Sequence, residues 1–146
     1  MPTQHLQFAQ KAVIVDNNRI LLLRKSCNDP YYPGWWDLPG GRMEDSEGLD
    51  AHLIREVLEE TGLKVLPVGD PIHLWDWFMD WHGERVHVLA VSRYCQLEDS
   101  APIEPDREAD DFLSEQRWIP RPELLSLDII PSQVATIKRV VKYQEG

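Results

Sequence analysis

A chain of 146 residues fits one domain and is long enough to bury a core of its own. With 42% hydrophobic and 27% charged residues, it has the composition of an ordinary soluble globular protein. A net charge of −10 argues against a nucleic acid polymer as partner, since the summed field repels a long polyanion, yet admits a small phosphorylated substrate bridged by divalent cations.

Met1-Pro2-Thr3-Gln4-His5 carries neither a basic cluster nor an apolar stretch behind it, so no signal peptide is expected. Phe8 to Val15 is rich in strand formers, Asp16-Asn17-Asn18 supplies a tight turn, and Arg19 to Arg24 reads as a second strand. The apolar run Ile20 to Leu23 is far too short to cross a bilayer, so no membrane partner is expected. Residues 25 to 37 (KSCNDPYYPGWWD) read as a loop, which Leu38-Pro39-Gly40-Gly41 continues into a glycine turn. Residues 49 to 61 form a helix, with Gly62 placed as its left-handed stop.

Beyond the helix the pattern returns to strands. Leu63 to Val68 is short, Ile72 to Met79 is aromatic, His82-Gly83 marks a turn within Asp80 to Glu84, and Arg85 to Gln96 is expected to be the longest strand. Residues 97 to 113 are acidic and read as an exposed loop. Arg117 to Pro120 follows as a short edge strand, and Pro122 to Ser126 as a helical turn opened by proline. Ser132 to Tyr143 carries Val134, Ile137, Val140 and Val141 at helical spacing, which suggests a closing amphipathic helix. Strands interleaved with a few helices give an α/β or α+β domain with a mixed sheet. Cys27 and Cys95 have no metal-ligand spacing and are expected to be free buried thiols in a reducing, cytoplasmic compartment.

The helix over 49 to 61 carries the chemistry. With Glu56 at 0° and about 100° per residue, Glu60 falls near 40° and Glu59 near 300°, so three carboxylates share one stripe. Ala51, Ile54, Val57, Leu58 and Thr61 lie between roughly 100° and 220°, a face expected to pack on the sheet while the acids point outward. Carboxylates at this spacing repel one another. Their oxygens suit hard cations such as Mg²⁺ and Mn²⁺. Taken alone, such a stripe is more often a solvated acidic face.

Its surroundings change that reading. The chain runs Gly41, five residues, Glu47, seven residues, then Arg55-Glu56-Val57-Leu58-Glu59-Glu60-Thr61-Gly62-Leu63. This matches the Nudix box, G-x5-E-x7-R-E-U-x-E-E-x-G-U, with Val57 and Leu63 at the bulky aliphatic positions. Chance agreement is on the order of 10⁻⁹ per window. Trp36-Asp37-Leu38-Pro39-Gly40-Gly41 resembles the entry to the box, and Glu115-Gln116-Arg117-Trp118-Ile119-Pro120 resembles a late segment of the same family. The chain is thus identified as resembling the Nudix hydrolases of MutT-like type, over one domain spanning residues 1 to 146 with the box at 41 to 63.

The resemblance implies an α/β/α sandwich around a mixed sheet, with a loop-helix-loop catalytic motif. It implies hydrolysis of a phosphoanhydride in a nucleoside diphosphate-linked compound, with Mg²⁺ as cofactor and Mn²⁺ as substitute. By motif position Glu56, Glu59, Glu60 and the Gly40 carbonyl become metal ligands, while Arg55 and Glu47 orient those carboxylates. Glu56 is the first choice for general base and Glu115 the second, against the plainer reading of Glu115 as a solvated loop acid. Many relatives pair, so a homodimer is an expectation.

The leaving group is left to other residues. Trp35, Trp36, Trp75 and Trp77 are candidates to stack on a base, with core or loop packing as the plain alternative. Trp75 and Trp77 share a face if their segment is a strand. His73, His82 and His87 lack ligand spacing and read as structural or exposed. The proline of the ADP-ribose subset, the SQPWPFPxS segment and the LLTxxSAR segment are all missing. A nucleoside triphosphate, including an oxidised purine one, therefore leads; ADP-ribose or a nucleotide sugar is the alternative, and a non-catalytic nucleotide-binding module the competing class.

Overall fold

Along the first strand the side chains alternate between two apolar layers, and that alternation places everything else. The computed structural model describes residues 5–44, 46–98 and 113–142. Strand β1 (His5–Asp16) sends Ala12 and Ile14 to one side of a sheet and Val13 to the other. Strands β2 (Arg19–Lys25), β3 (Trp36–Asp37) and β4 (Gly40–Arg42) precede helix α1 (Leu49–Thr61). Strands β5 (Val65–Trp81), β6 (Glu84–Leu97) and β7 (Leu113–Pro120) follow, then a 3₁₀ turn at Arg121–Ser126 and helix α2 (Pro131–Lys142).

Asn17 and Asn18 both adopt positive φ, 51° and 59°, which matches the twist a two-residue hairpin needs between β1 and β2. His82 and Gly83 do the same between β5 and β6. Strand β1 runs parallel to β6 from His5↔Val86 to Val15↔Gln96, while the remaining pairings are antiparallel, so the sheet is mixed and seven-stranded. Strands β1 and β2 pair at Val15↔Ile20 and Asp16↔Arg19. Further along, β4 takes the edge of β1 at Ala9–Lys11 and β3 takes the edge of β2 at Leu23–Arg24. The segment read as loop and glycine turn thus places two short strands inside the sheet.

Two layers cover the sheet. Leu53 and Val57 of α1 pack with Ala12, Ile14 and Leu21, while Ile137 and Val140 of α2 pack with Val13, Ile20 and Leu22. Each such aliphatic side chain contributes about 1.5–3 kcal/mol on burial. A third cluster, Ala9, Val86, Val88 and Ala90 with Trp75 and Met79, continues the α2 side of the sheet. The result is the expected α/β/α sandwich.

Several expectations need correction. The segments Leu63 to Val68 and Ile72 to Met79 are one strand of 17 residues, so β5 rather than β6 is the longest. Register shifts after Val68 and Pro71, with Gly69 at φ 73°, absorb the break without ending the pairing. Strand β7 begins at Leu113, because pairing with β2 extends it. Cys95 is buried, which pushes its thiol up to about 12, whereas Cys27 is exposed in the loop after β2. Residues 99–112 of the acidic stretch, and Tyr143, lie outside the described residues. Among those described, no helix is long and apolar enough to cross a membrane.

Candidate active site

Helix α1 starts at Gly48 and is stopped by Gly62 at φ 77°, whose N–H donates to the Leu58 carbonyl. Its buried residues are His52, Leu53, Val57 and Thr61. On the helical projection Glu56 and Glu60 fall among these positions, between about −40° and 140°. Glu56 and Glu60 therefore do not point away from the sheet as expected, whereas Glu59, with 45% of its side chain exposed, does so more. The first two lie at the rim of the packed face, while Ala51 is exposed and Ile54 and Leu58 are half-buried. Polar groups from β1 and β4 make that rotation possible, and an apolar count along the helix does not register them.

The β4 backbone is the first of those groups. Gly40 N–H donates to Glu60 Oε1 at 2.8 Å. A Cβ on Gly40 would overlap the Gln10 carbonyl, and its φ is 138°, so glycine is required for this close approach to β1. Glu56 Oε2 would lie 3.1 Å from a Cβ on Gly41, so that glycine leaves room for the carboxylate.

Arg55 gathers the rest. Its Nε and Nη2 donate to Glu47 at 2.9 and 2.7 Å, a two-pronged contact. Nη1 reaches both oxygens of Glu59 at 3.1 Å, and Nη2 reaches Glu56 Oε1 at 3.5 Å. The hydrogen bond to Glu47 leads in holding the guanidinium far above its ordinary value, and the same bond holds Glu47 below the usual carboxylate range. One cation thus aligns three acids.

Burial acts the other way on the two inner acids. It raises Glu56, whose side chain is 15% exposed, and pushes Glu60 up to about 7. Lys11, on β1, moderates this: burial alone would lower its amine, but Asp37, Glu60 and Glu56 outweigh that and raise it. Its Nζ donates to Asp37 Oδ2 at 3.3 Å and to the Leu38 carbonyl at 3.2 Å.

The Glu60 value has a measurable consequence. A carboxyl at 4.5 in the unfolded chain and about 7 in the fold favours folding most in its neutral form. That contribution is fully present below pH 4.5 and is lost as pH rises through about 7. Metal-free wild type is therefore expected to lose stability relative to Glu60→Gln across this window, read by denaturation at a series of pH values. A flat difference between the two proteins rejects the assignment.

Carboxylate oxygens such as these suit hard cations. Among the described residues no three His, Cys, Asp or Glu side chains converge closely enough to hold one ion. Glu59 is drawn to Arg55 and Glu60 to the Gly40 amide. Burial, the main cause of the raised Glu56 and Glu60, disfavours their charged forms, which a nearby dication would stabilise.

Of the residues singled out from sequence, Gly40, Glu47, Arg55, Glu56, Glu59 and Glu60 come together here. Glu115 does not join them: it is held on β7 by Arg24 at 3.2 Å and Arg117 at 2.8 Å. Burial raises its carboxyl, but these two guanidiniums outweigh burial and bring it below the ordinary value. Trp36 is corrected from substrate contact to core, 5% exposed between the sheet and α2, because β3 carries it into the sheet. Trp35 lies against Tyr32 within the loop, ring centroids 5.4 Å apart.

Trp75 and Trp77 face the α2 side, opposite Ala90 and Val88 of β6. The Trp75 indole N–H is buried and finds no acceptor among the described residues. Arg42 lies over Trp81 at 4.5 Å and donates to Gln7 Oε1 at 3.3 Å, on the same side. His73 stacks on Trp75, and His87 is paired with Asp76, in keeping with structural roles. Sequence reasoning missed Gln10, Lys11, Asp37 and His52. Two adjacent polar residues in the middle of an otherwise apolar strand were the available signal for Gln10 and Lys11.

The NUDIX domain family matches residues 6–140 of this chain. An uncharacterized Nudix hydrolase, YvcI, of Bacillus subtilis (strain 168) is 37% identical over 62 residues, 42% of this chain and 36% of that protein. The nucleoside triphosphatase NudI of Enterobacter sp. (strain 638) is 29% identical over 124 residues, 80% of this chain and 84% of the relative. Among solved structures, a MutT NUDIX hydrolase from Burkholderia pseudomallei aligns with a TM-score of 0.67 at 22% identity, covering 93% of this chain and 98% of that one, a likeness of fold.

Proposed function

The chain belongs to the NUDIX domain family, and on that premise we propose that it is a Mg²⁺-dependent hydrolase of a phosphoanhydride in a nucleoside diphosphate-linked compound, with nucleoside triphosphates as the leading substrates. The observation that carries this reading is the convergence of Glu56 and Glu59 on one guanidinium beside Glu60, which the Gly40 N–H holds.

A diphosphate linkage repels nucleophiles. A bound divalent cation supplies neutralisation of the phosphate oxygens and activation of water. Glu56, Glu59, Glu60 and the Gly40 carbonyl are the groups that would hold it. Arg55 sets the direction of Glu56 and Glu59, and Glu47 anchors Arg55 from behind. Water attacks phosphorus in line, the anhydride P–O bond breaks, and the departing phosphate takes the bonding pair. Glu56 accepts the proton of that water; burial has raised its carboxyl, which improves its match to the task.

Placement of the substrate follows from β1. Lys11 and Ala9 point to the same side, roughly 6–7 Å apart along the strand. Lys11 marks the acidic end and Ala9 the apolar patch of Trp75 and Met79. Phosphates at the first and a base on the indoles fit that separation, and Arg42 adds a cation beside it. The triphosphate preference is supported by the likeness to NudI.

The test is a hydrolysis screen with Mg²⁺ across dNTPs, oxidised dNTPs, ADP-ribose, dinucleoside polyphosphates and nucleotide sugars, with products identified. Triphosphate turnover is expected. Preference for ADP-ribose or a nucleotide sugar replaces the substrate class, and binding without turnover of any compound sinks the enzyme in favour of a binding module.

A further inference from the structure

His52 lies on the packed side of α1 with no exposed surface. Burying an imidazole is costly unless its nitrogens find partners. Nδ1 is 2.9 Å from Gln10 Nε2. Nε2 has no close side-chain or backbone hydrogen bond among the described residues; the Arg42 carbonyl lies within reach of the ring as one acceptor, and Glu56 Oε1, 3.8 Å from Nε2, is the other.

The donor and acceptor inventory decides which nitrogen carries the hydrogen. Gln10, itself fully buried, has its Oε1 3.3 Å from Arg93 Nη1 and its Nε2 2.7 Å from the Leu49 carbonyl. A guanidinium only donates and a carbonyl only accepts, so the amide has one orientation, with its NH₂ toward His52. Nδ1 must then accept. The neutral ring carries its hydrogen on Nε2, the nitrogen nearer Glu56. Asp50 Oδ1 pins Arg93 at 2.7 Å, so the chain Asp50–Arg93–Gln10–His52 runs from the surface to the acid cluster.

We infer that His52 is a positioning residue, whose Nε2–H orients the Glu56 carboxylate and leaves its remaining lone pairs to a cation and to water. The inference rests on the hydrolase reading above, in which Glu56 works at the reacting centre. The 3.8 Å separation is longer than a hydrogen bond, and a carboxylate rotation of about 1 Å closes it; such bonds often tighten only in the reacting complex. Without the imidazole hydrogen, Arg55 at 3.5 Å is left to draw Glu56 to its own side. Groups that act in this way on a ligand typically change affinity or activity by about 10–100-fold.

The experiment compares His52→Phe, which keeps a ring and loses the donor, with His52→Gln, which keeps a donor. Mn²⁺ affinity is read by calorimetry, and kcat and KM are read on the best substrate of the screen. Expected for His52→Phe are a roughly 10–100-fold loss in Mn²⁺ affinity and in kcat with KM little changed, and recovery of most of both in His52→Gln. Wild-type Mn²⁺ affinity and kcat in a folded His52→Phe overturn the inference, and so does equal loss in both variants with a matching drop in melting temperature. Should His52→Phe fail to fold, ¹⁵N spectra of the wild-type ring decide: a hydrogen on Nε2 supports the inference and a hydrogen on Nδ1 overturns it. A wild type that binds Mn²⁺ but turns nothing over defeats the hydrolase reading instead, and the affinity comparison still judges His52.

Discussion

Glu56→Gln is expected to lower kcat/KM by about 10³-fold or more while leaving the fold intact. The magnitude follows from charge: several kcal/mol of transition-state stabilisation depend on cation chemistry at such a site, and about 4 kcal/mol corresponds to 10³ in rate. Glutamine has nearly the same shape but neither holds a dication well nor accepts the proton of water. The stability side has the opposite sign. Burial disfavours the charged Glu56 carboxylate, so its contribution is present below pH 4.5 and lost as pH rises through the raised folded value. At pH 7.5 the metal-free variant should therefore melt no lower than wild type. Steady-state kinetics and a thermal melt on the same preparations check both halves. Wild-type turnover removes Glu56 from the reaction, and a large fall in melting temperature assigns it to the framework instead.

Gly40→Ala is expected to cost roughly 2–6 kcal/mol, of which 1–3 comes from a backbone region that side chains avoid and 1–3 from overlap with its neighbour. The overlap is with backbone: the new Cβ would meet the Gln10 carbonyl, which β1 holds in place through its pairing with β6. Since a domain of this size has about 5–15 kcal/mol in total, such a loss is a large share of its stability. Relief by pulling β4 away from β1 would also withdraw the Gly40 amide from Glu60, so activity should fall even where the variant remains folded. Gly48→Ala is the matched control. A Cβ there meets nothing within 4 Å and its φ is −68°, so the cost should stay below about 1 kcal/mol, the scale of a helix cap. Urea denaturation of the two variants measures the contrast, and equal midpoints would show that β4 does not lie as close to β1 as described.

Helix α1 was legible to the residue, from Leu49 to Thr61, because both its stop at Gly62 and its period are local properties. The hairpin at Asn17-Asn18 and the turn at His82-Gly83 were legible for the same reason. Strand β5 was not read as one element, because a bulge and a turn present the same glycine and prolines, and pairing with β6 alone distinguishes them.

The acid cluster itself divides in the same way. Helical spacing by itself put Glu56, Glu59 and Glu60 on one stripe, and the match to the Nudix box joined Glu47 and Arg55 to them. The direction in which they point was decided by the tertiary structure. Gly40 comes from β4 and Lys11 from β1, and their N–H and amine groups make it possible for Glu56 and Glu60 to turn toward the sheet. The same long-range packing sent Trp36 to the core and Glu115 to the edge strand, and it buried His52, which helical spacing had already set beside Glu56. Periodicity reports which residues share a face; only the packed neighbours report what that face meets, and burial without those neighbours would have been too costly for a carboxylate.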